Sequence, residues 1–140
     1  MNDSTGTPNL DYYNAACKRF EEAFKDRSFF LRNLALNLLF EFEIPFKSKN
    51  NTIFENYSLF TTVYACIKLN LIAIAFNSDS QITVENEGQS FTYDAENRFA
   101  GLTSIICRSL CQDSPRQKRV LKFLQSNGLT TPAYLALLVK

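Results

Sequence analysis

The sequence predicts a mainly helical fold, α+β in detail: a compact bundle of five or six helices around one central apolar helix, with a single small β-hairpin. Three observations predict it. Between Phe54 and Phe76 the residues Phe60, Val63, Tyr64, Ile67, Leu71, Ile74 and Ala75 recur at the three-and-four spacing that lines one face of an α-helix. Helix start and stop signals recur elsewhere, at Asn9, Ser114-Pro115, Asn127-Gly128 and Thr131-Pro132. Around residues 81–93 the period changes to strict alternation of polar and apolar residues, which is strand spacing.

Read as one helix, the central run is about 35 Å long at 1.5 Å per residue. A compact chain of this size has a radius of gyration of roughly 14 Å, so such a helix crosses the domain and the other elements pack on it. A membrane span is the first rival reading, but Thr61, Thr62, Lys68 and Asn70 interrupt the run and a charge near mid-membrane is costly. No membrane span is expected. The second rival makes Leu69 to Phe76 a strand with Ile72, Ile74 and Phe76 on one face. The length of the run and its alanines, which strands disfavour, argue for helix.

The remaining elements follow in order. Residues 1–8, MNDSTGTP, are polar and aperiodic, as in a flexible tail, and residues 9–140 form a single helical domain. Asn9 caps a helix whose apolar face is Tyr13, Ala16, Cys17, Phe20 and Phe24. Residues Phe29 to Phe42 carry Leu31, Leu34, Leu38 and Phe42 on one stripe and Phe30, Leu39 and Phe40 off it. A helix apolar around that much of its circumference is covered on several sides. Pro45 stops it, and Lys47 to Asn51 reads as a loop. After a turn cluster at Asn77 to Ser80, the segments Gln81 to Glu85 and Gln89 to Tyr93 make the hairpin, with Ile82, Val84, Phe91 and Tyr93 toward the core. Helical spacing resumes from Asp94 to Cys111 through Phe99, Leu102, Ile106 and Leu110, with Gly101 suited to a close helix crossing. Ser114 as cap and Pro115 at the first helical position start the next helix, Asn127-Gly128 ends it, and Ala133 to Val139 forms a last, almost wholly apolar one.

Composition narrows the function. Fifteen basic and fourteen acidic residues leave a net charge of +1, so no global field draws the protein to nucleic acid or an anionic surface. There is no histidine, which rules out Ser-His-Asp and Cys-His sites. The four glycines at 6, 88, 101 and 128 are too scattered to cradle a phosphate, so no cofactor is expected. Ten of thirteen phenylalanines fall between Phe20 and Phe76, which points to a Phe-filled core. Without an apolar leader or a basic start, the chain is expected inside the cell, in cytoplasm or nucleus, where Cys17, Cys66, Cys107 and Cys111 stay reduced. Cys107 and Cys111 share a helix face, but the other two cysteines lack metal-knuckle spacing, so no metal site is expected.

With no catalytic constellation and a surplus of apolar helix surface, the sequence predicts a non-enzyme: an adaptor or scaffold module that binds another protein or itself. Phe30, Leu39, Phe40, Tyr134, Leu137 and Leu138 are the candidate contact residues. The alternative is a nucleic-acid accessory protein, or one with an acidic partner, using Arg116, Lys118, Arg119 and Lys122 on one helix. An apolar ligand carrier is the third reading.

Overall fold

The structure is a computed structural model that describes residues 9–26, 28–46, 51–76, 82–86, 89–93 and 95–139. Its elements run α1 (Leu10–Phe24), α2 (Ser28–Glu41), α3 (Ile53–Phe76), β1 (Ile82–Asn86), β2 (Gln89–Tyr93), α4 (Ala95–Cys111), α5 (Ser114–Ser126) and α6 (Pro132–Val139). The fold is mainly helical. The two strands pair antiparallel, with Ile82 opposite Tyr93 and Val84 opposite Phe91. The tail 1–8, loop 47–50, turn 77–80 and hairpin turn 87–88 lie outside the described residues, as do the hairpin side chains expected to face the core. Contacts divide the chain into two units, one of Met1–Ser28 with Leu69–Gly101 and one of Phe29–Lys68 with Leu102–Lys140.

Helix α3 is unbroken, so residues 69–76 are helical and not a strand. The three-and-four spacing predicts one apolar face, and Phe60, Val63, Tyr64, Ile67, Leu71 and Ala75 are indeed buried. Leu59, Ala65 and Ile72 are buried too, together with the polar Asn56, Ser58 and Thr61. A helix surrounded on this scale must satisfy its polar groups locally. Ser58 Oγ donates to the Phe54 carbonyl at 2.9 Å and Thr62 Oγ1 to the Ser58 carbonyl at 2.8 Å. Thr61 Oγ1 reaches the Tyr57 and Ser58 carbonyls at 3.1 and 3.0 Å. α3 is long and apolar enough to cross a membrane, with mean hydropathy 1.8 in its most apolar window, and 56% of that window is buried inside the protein.

In the first unit, Asn9 caps α1 by accepting from the Asp11 and Tyr12 N–H groups at 3.0 and 3.2 Å. Ala16, Phe20 and Phe24 are buried, and the Phe24 ring lies 5.0 Å from that of Phe99 on α4. Arg19 holds the end of α3: its guanidinium donates to the Phe76 carbonyl at 3.0 Å and sits 5.1 Å over the Phe76 ring. A cation at a helix C-terminus meets the negative end of the dipole, and the ring adds a cation–π contact. Gly101, expected at a close crossing, has nothing within 4 Å of where a Cβ would stand.

In the second unit, Leu34, Leu38, Phe42, Leu59, Phe60, Val63, Ile67, Leu121, Leu124 and Leu135 are buried. Leu135 is the anchor of α6 at 0% exposure, a burial worth about 1.5–3 kcal/mol for a leucine. Thr52 and Glu55 form a reciprocal cap on α3: Thr52 N–H donates to Glu55 Oε2 at 2.8 Å and Glu55 N–H to Thr52 Oγ1 at 3.2 Å. Asp113, not Ser114, caps α5, accepting from the Arg116 N–H at 3.1 Å. The shift by one residue follows from chemistry, since a carboxylate is the stronger acceptor and favours the positive helix end.

α2 and α5 stop in the same way. At α5, Gly128 takes φ +67°, its N–H donates to the Gln125 carbonyl at 3.1 Å and the Leu129 N–H to Leu124 at 2.9 Å. At α2 the left-handed residue is Glu43, φ 54°, with Glu43 N–H on Phe40 and Ile44 N–H on Leu39, both at 3.0 Å. Buried Asn56 then donates to the Phe42 carbonyl at 2.8 Å and ties this stop to α3. Glu43→Gly removes the left-handed strain of a Cβ-bearing residue and raises stability by about 0.5–1 kcal/mol in a denaturant titration. Asn56→Ala strands a buried carbonyl and lowers stability by about 1–3 kcal/mol in the same measurement.

Candidate functional site

The second unit contains a half-open groove of about 220 Å³ between α2 and α4. Leu34, Asn37, Leu38 and Glu41 line it from α2, and Thr103, Cys107, Cys111 and Gln112 from α4 and the residue after it. Helical period explains both walls. Residues 34, 37, 38 and 41 follow the three-and-four spacing of one face, and 103, 107 and 111 are each four apart. Leu34 and Leu38 are buried and make an apolar floor. Polar groups stand on either side of it.

The far end of α4 is held in place. Gln117 Nε2 donates to the Leu110 and Cys111 carbonyls at 3.1 and 2.6 Å, which satisfies two of the carbonyls a helix end leaves open. Thr103 Oγ1 is buried and has no hydrogen-bond partner among the described residues. An unpaired buried hydroxyl costs about 1–3 kcal/mol, which makes it a polar group for a ligand or water to satisfy.

Both groove thiols are pushed up. Burial raises Cys107 most; a hydrogen bond from Cys111 lowers it and the nearby Glu41 charge raises it. Cys111 is pushed up to about 12, by burial first, then by the charges of Cys107 and Glu41 and by its hydrogen bond to Cys107. These thiols are neutral and inert at neutral pH, because the thiolate is the nucleophile. The Glu41 charge thus reaches both sulfurs, behind burial as a cause. Elsewhere, burial raises Cys66 and Tyr64, and a hydrogen bond with Cys17 raises Tyr13. None of the four cysteines is in a disulfide, and no group of three metal-ligating side chains occurs among the described residues.

The residues singled out from sequence lie elsewhere. Phe40 is 79% exposed and Leu137 68% exposed, Tyr134 and Leu138 are also exposed, and Phe30 and Leu39 are half-buried. Phe30 and Leu39 sit on opposite sides of α2, about 180° apart at 100° per residue, so the α2 residues do not form one patch. Arg116, Lys118, Arg119 and Lys122 are exposed on α5, and Arg116 is paired with Asp113 at 3.3 Å. The groove escaped the sequence reading, although the shared face of Cys107 and Cys111 was its visible half.

A raised thiol pKa carries a sign. As pH climbs, Cys111 ionises first in the unfolded chain, so the stability it contributes is full below its ordinary 9.0 and is lost toward about 12. In the folded protein at pH 8, alkylation of Cys111 by iodoacetamide runs at least about 100-fold slower than that of a small free thiol. Glu41→Gln removes a charge that opposes ionisation and speeds Cys111 labelling severalfold, read by mass spectrometry of the labelled peptide.

No curated protein and no solved structure matches the chain. A family model does: that of the FliB lysine N-methylase C-terminal domain, over residues 1–138. This overturns the expectation of a non-enzyme and of a purely non-catalytic adaptor, because the matched family is the C-terminal domain of a lysine N-methylase. The missing histidine excludes only sites built on histidine, not membership of an enzyme family. With all but its last two residues inside that match, the chain belongs to the FliB lysine N-methylase C-terminal domain family.

Proposed function

We propose that the chain works in protein lysine N-methylation as a domain of a methylase, and that it contributes the protein-substrate side of the active enzyme. The family match over residues 1–138 carries this reading. In such a reaction the methyl donor supplies an electrophilic carbon, a nitrogen–carbon bond forms as the donor's bond to that carbon breaks, and the lysine ammonium gives up one proton. The α2/α4 groove does not fit the donor. Sites for drug-sized ligands run to about 300–1,000 Å³, and this groove is about 220 Å³. The four scattered glycines build no loop for a nucleoside or its phosphates.

The groove has instead the dimensions of a single side chain, with an apolar floor and polar walls. With its thiols neutral, the Glu41 carboxylate is the one charged group among the residues that line it. The partner in this reading is a protein carrying lysine, met in the cytoplasm, where free thiols such as Cys107 and Cys111 stay reduced.

Removing this domain from the complete methylase tests the reading. The expected result is a drop of at least tenfold in kcat/KM for the protein substrate, with the KM for the methyl donor unchanged, measured by mass spectrometry of methylated lysines. Unchanged kcat/KM for the protein substrate refutes it.

A further inference from the structure

Resting on the reading of the chain as a domain of a protein lysine N-methylase, we infer that the α2/α4 groove is a docking subsite for a lysine ammonium of the protein substrate. Three features point to that chemistry. Leu34 and Leu38 are buried in the floor, where the four-carbon stem of a lysine can lie. An ammonium has three donors and no acceptor, and the walls offer acceptors to match: the Glu41 carboxylate, the Asn37 and Gln112 amide oxygens and the Thr103 hydroxyl. That hydroxyl is buried and unpartnered among the described residues, so it has an acceptor to give.

The third feature is the field. α2 ends at Glu41 and α4 ends at Cys111, and the Glu41 charge is felt by both Cys107 and Cys111. The last turns of α2 and α4 thus both line the groove, and the negative end of each helix dipole favours a cation there. Arg116, a cation on the helix after α4, is held by Asp113 at 3.3 Å. An anion is disfavoured at this end of the groove.

The same field sets what the groove does with its lysine. A carboxylate beside an amine stabilises the charged form, and a charged amine has no lone pair to receive a methyl group. The groove docks a lysine and does not activate it. It serves to hold the substrate chain in register while another lysine reacts.

The test uses the full chain, uniformly labelled with nitrogen-15, titrated with the blocked tripeptide acetyl-Gly-Lys-Gly-amide and its norleucine counterpart. The expected result is amide shifts at Asn37, Glu41, Cys107 and Gln112 with the lysine peptide, at least tenfold weaker binding of the norleucine peptide, and at least fivefold weaker lysine binding in Glu41→Gln. Asn37→Ala, assayed in parallel, weakens binding by a smaller factor. Equal binding of the two peptides, or lysine binding unaffected by Glu41→Gln in a protein whose other amide shifts are unchanged, overturns the inference. The result is separable from domain removal in the complete methylase. Loss of turnover without lysine binding here sinks the docking site alone, whereas lysine binding here with full turnover after domain removal sinks the methylase role and leaves the site.

Discussion

Burying α3 on most of its circumference is the constraint on which the rest of this structure depends. An amphipathic helix leaves its polar residues in water, but α3 encloses Asn56, Ser58 and Thr61. Each must be satisfied where it stands, and each is: the hydroxyls bond back to carbonyls three or four residues earlier, and Asn56 bonds to the end of α2. Back-bonded hydroxyls satisfy the side chain without demanding a partner from another element. This leaves the apolar remainder of the helix free to be covered by whatever packs on it. Both ends of α3 are closed by charged residues, Glu55 in the reciprocal cap and Arg19 on the Phe76 carbonyl.

Helix termination also shapes the groove. α2 stops through a left-handed glutamate whose strain the surrounding hydrogen bonds hold in place, and Asn56 pins that stop. Glu41 lies in the last turn before it. On the opposite wall, Gln117 closes the last carbonyls of α4 beside Cys111. Each wall thus ends at a hydrogen-bonded stop, and Glu41 and Cys111 line the groove from the two last turns. A site made of helix faces held at their ends keeps its geometry better than one made of loops.

Much of the fold was legible from periodicity and punctuation. The Asn9 cap, the Asn127-Gly128 stop and the Thr131-Pro132 start need only a few residues each, and local chemistry decides them. The Thr52 to Glu55 cap was equally legible and was overlooked, and the choice between Asp113 and Ser114 turned on which neighbour is the better acceptor. Glu43 could not be read, because nothing in a glutamate marks a left-handed residue. Burial of α3 beyond one face could not be read either, since it depends on how many neighbours surround the helix. The groove is a tertiary object: its two walls are more than sixty residues apart in sequence, and each wall alone looks like an ordinary helix face.

The function was misjudged from sequence because catalysis was equated with nucleophiles and general bases. For methyl transfer the reactive electrophile comes from outside the chain and the nucleophile is the substrate's own nitrogen, so the protein is left with orientation and electrostatics. The groove lining holds groups that look unremarkable one at a time: a carboxylate, two amides, a hydroxyl and two leucines. Glu41 shows how one side chain can have two effects at once. Its charge adds to burial, the larger cause, in pushing the neighbouring thiols up, and the same charge is the one on which the proposed ammonium site rests. The two effects differ in their main cause: burial for the thiols, the carboxylate's charge for the proposed ammonium site. Glu41→Gln therefore removes the ammonium's partner and leaves burial to keep the thiols protonated at neutral pH.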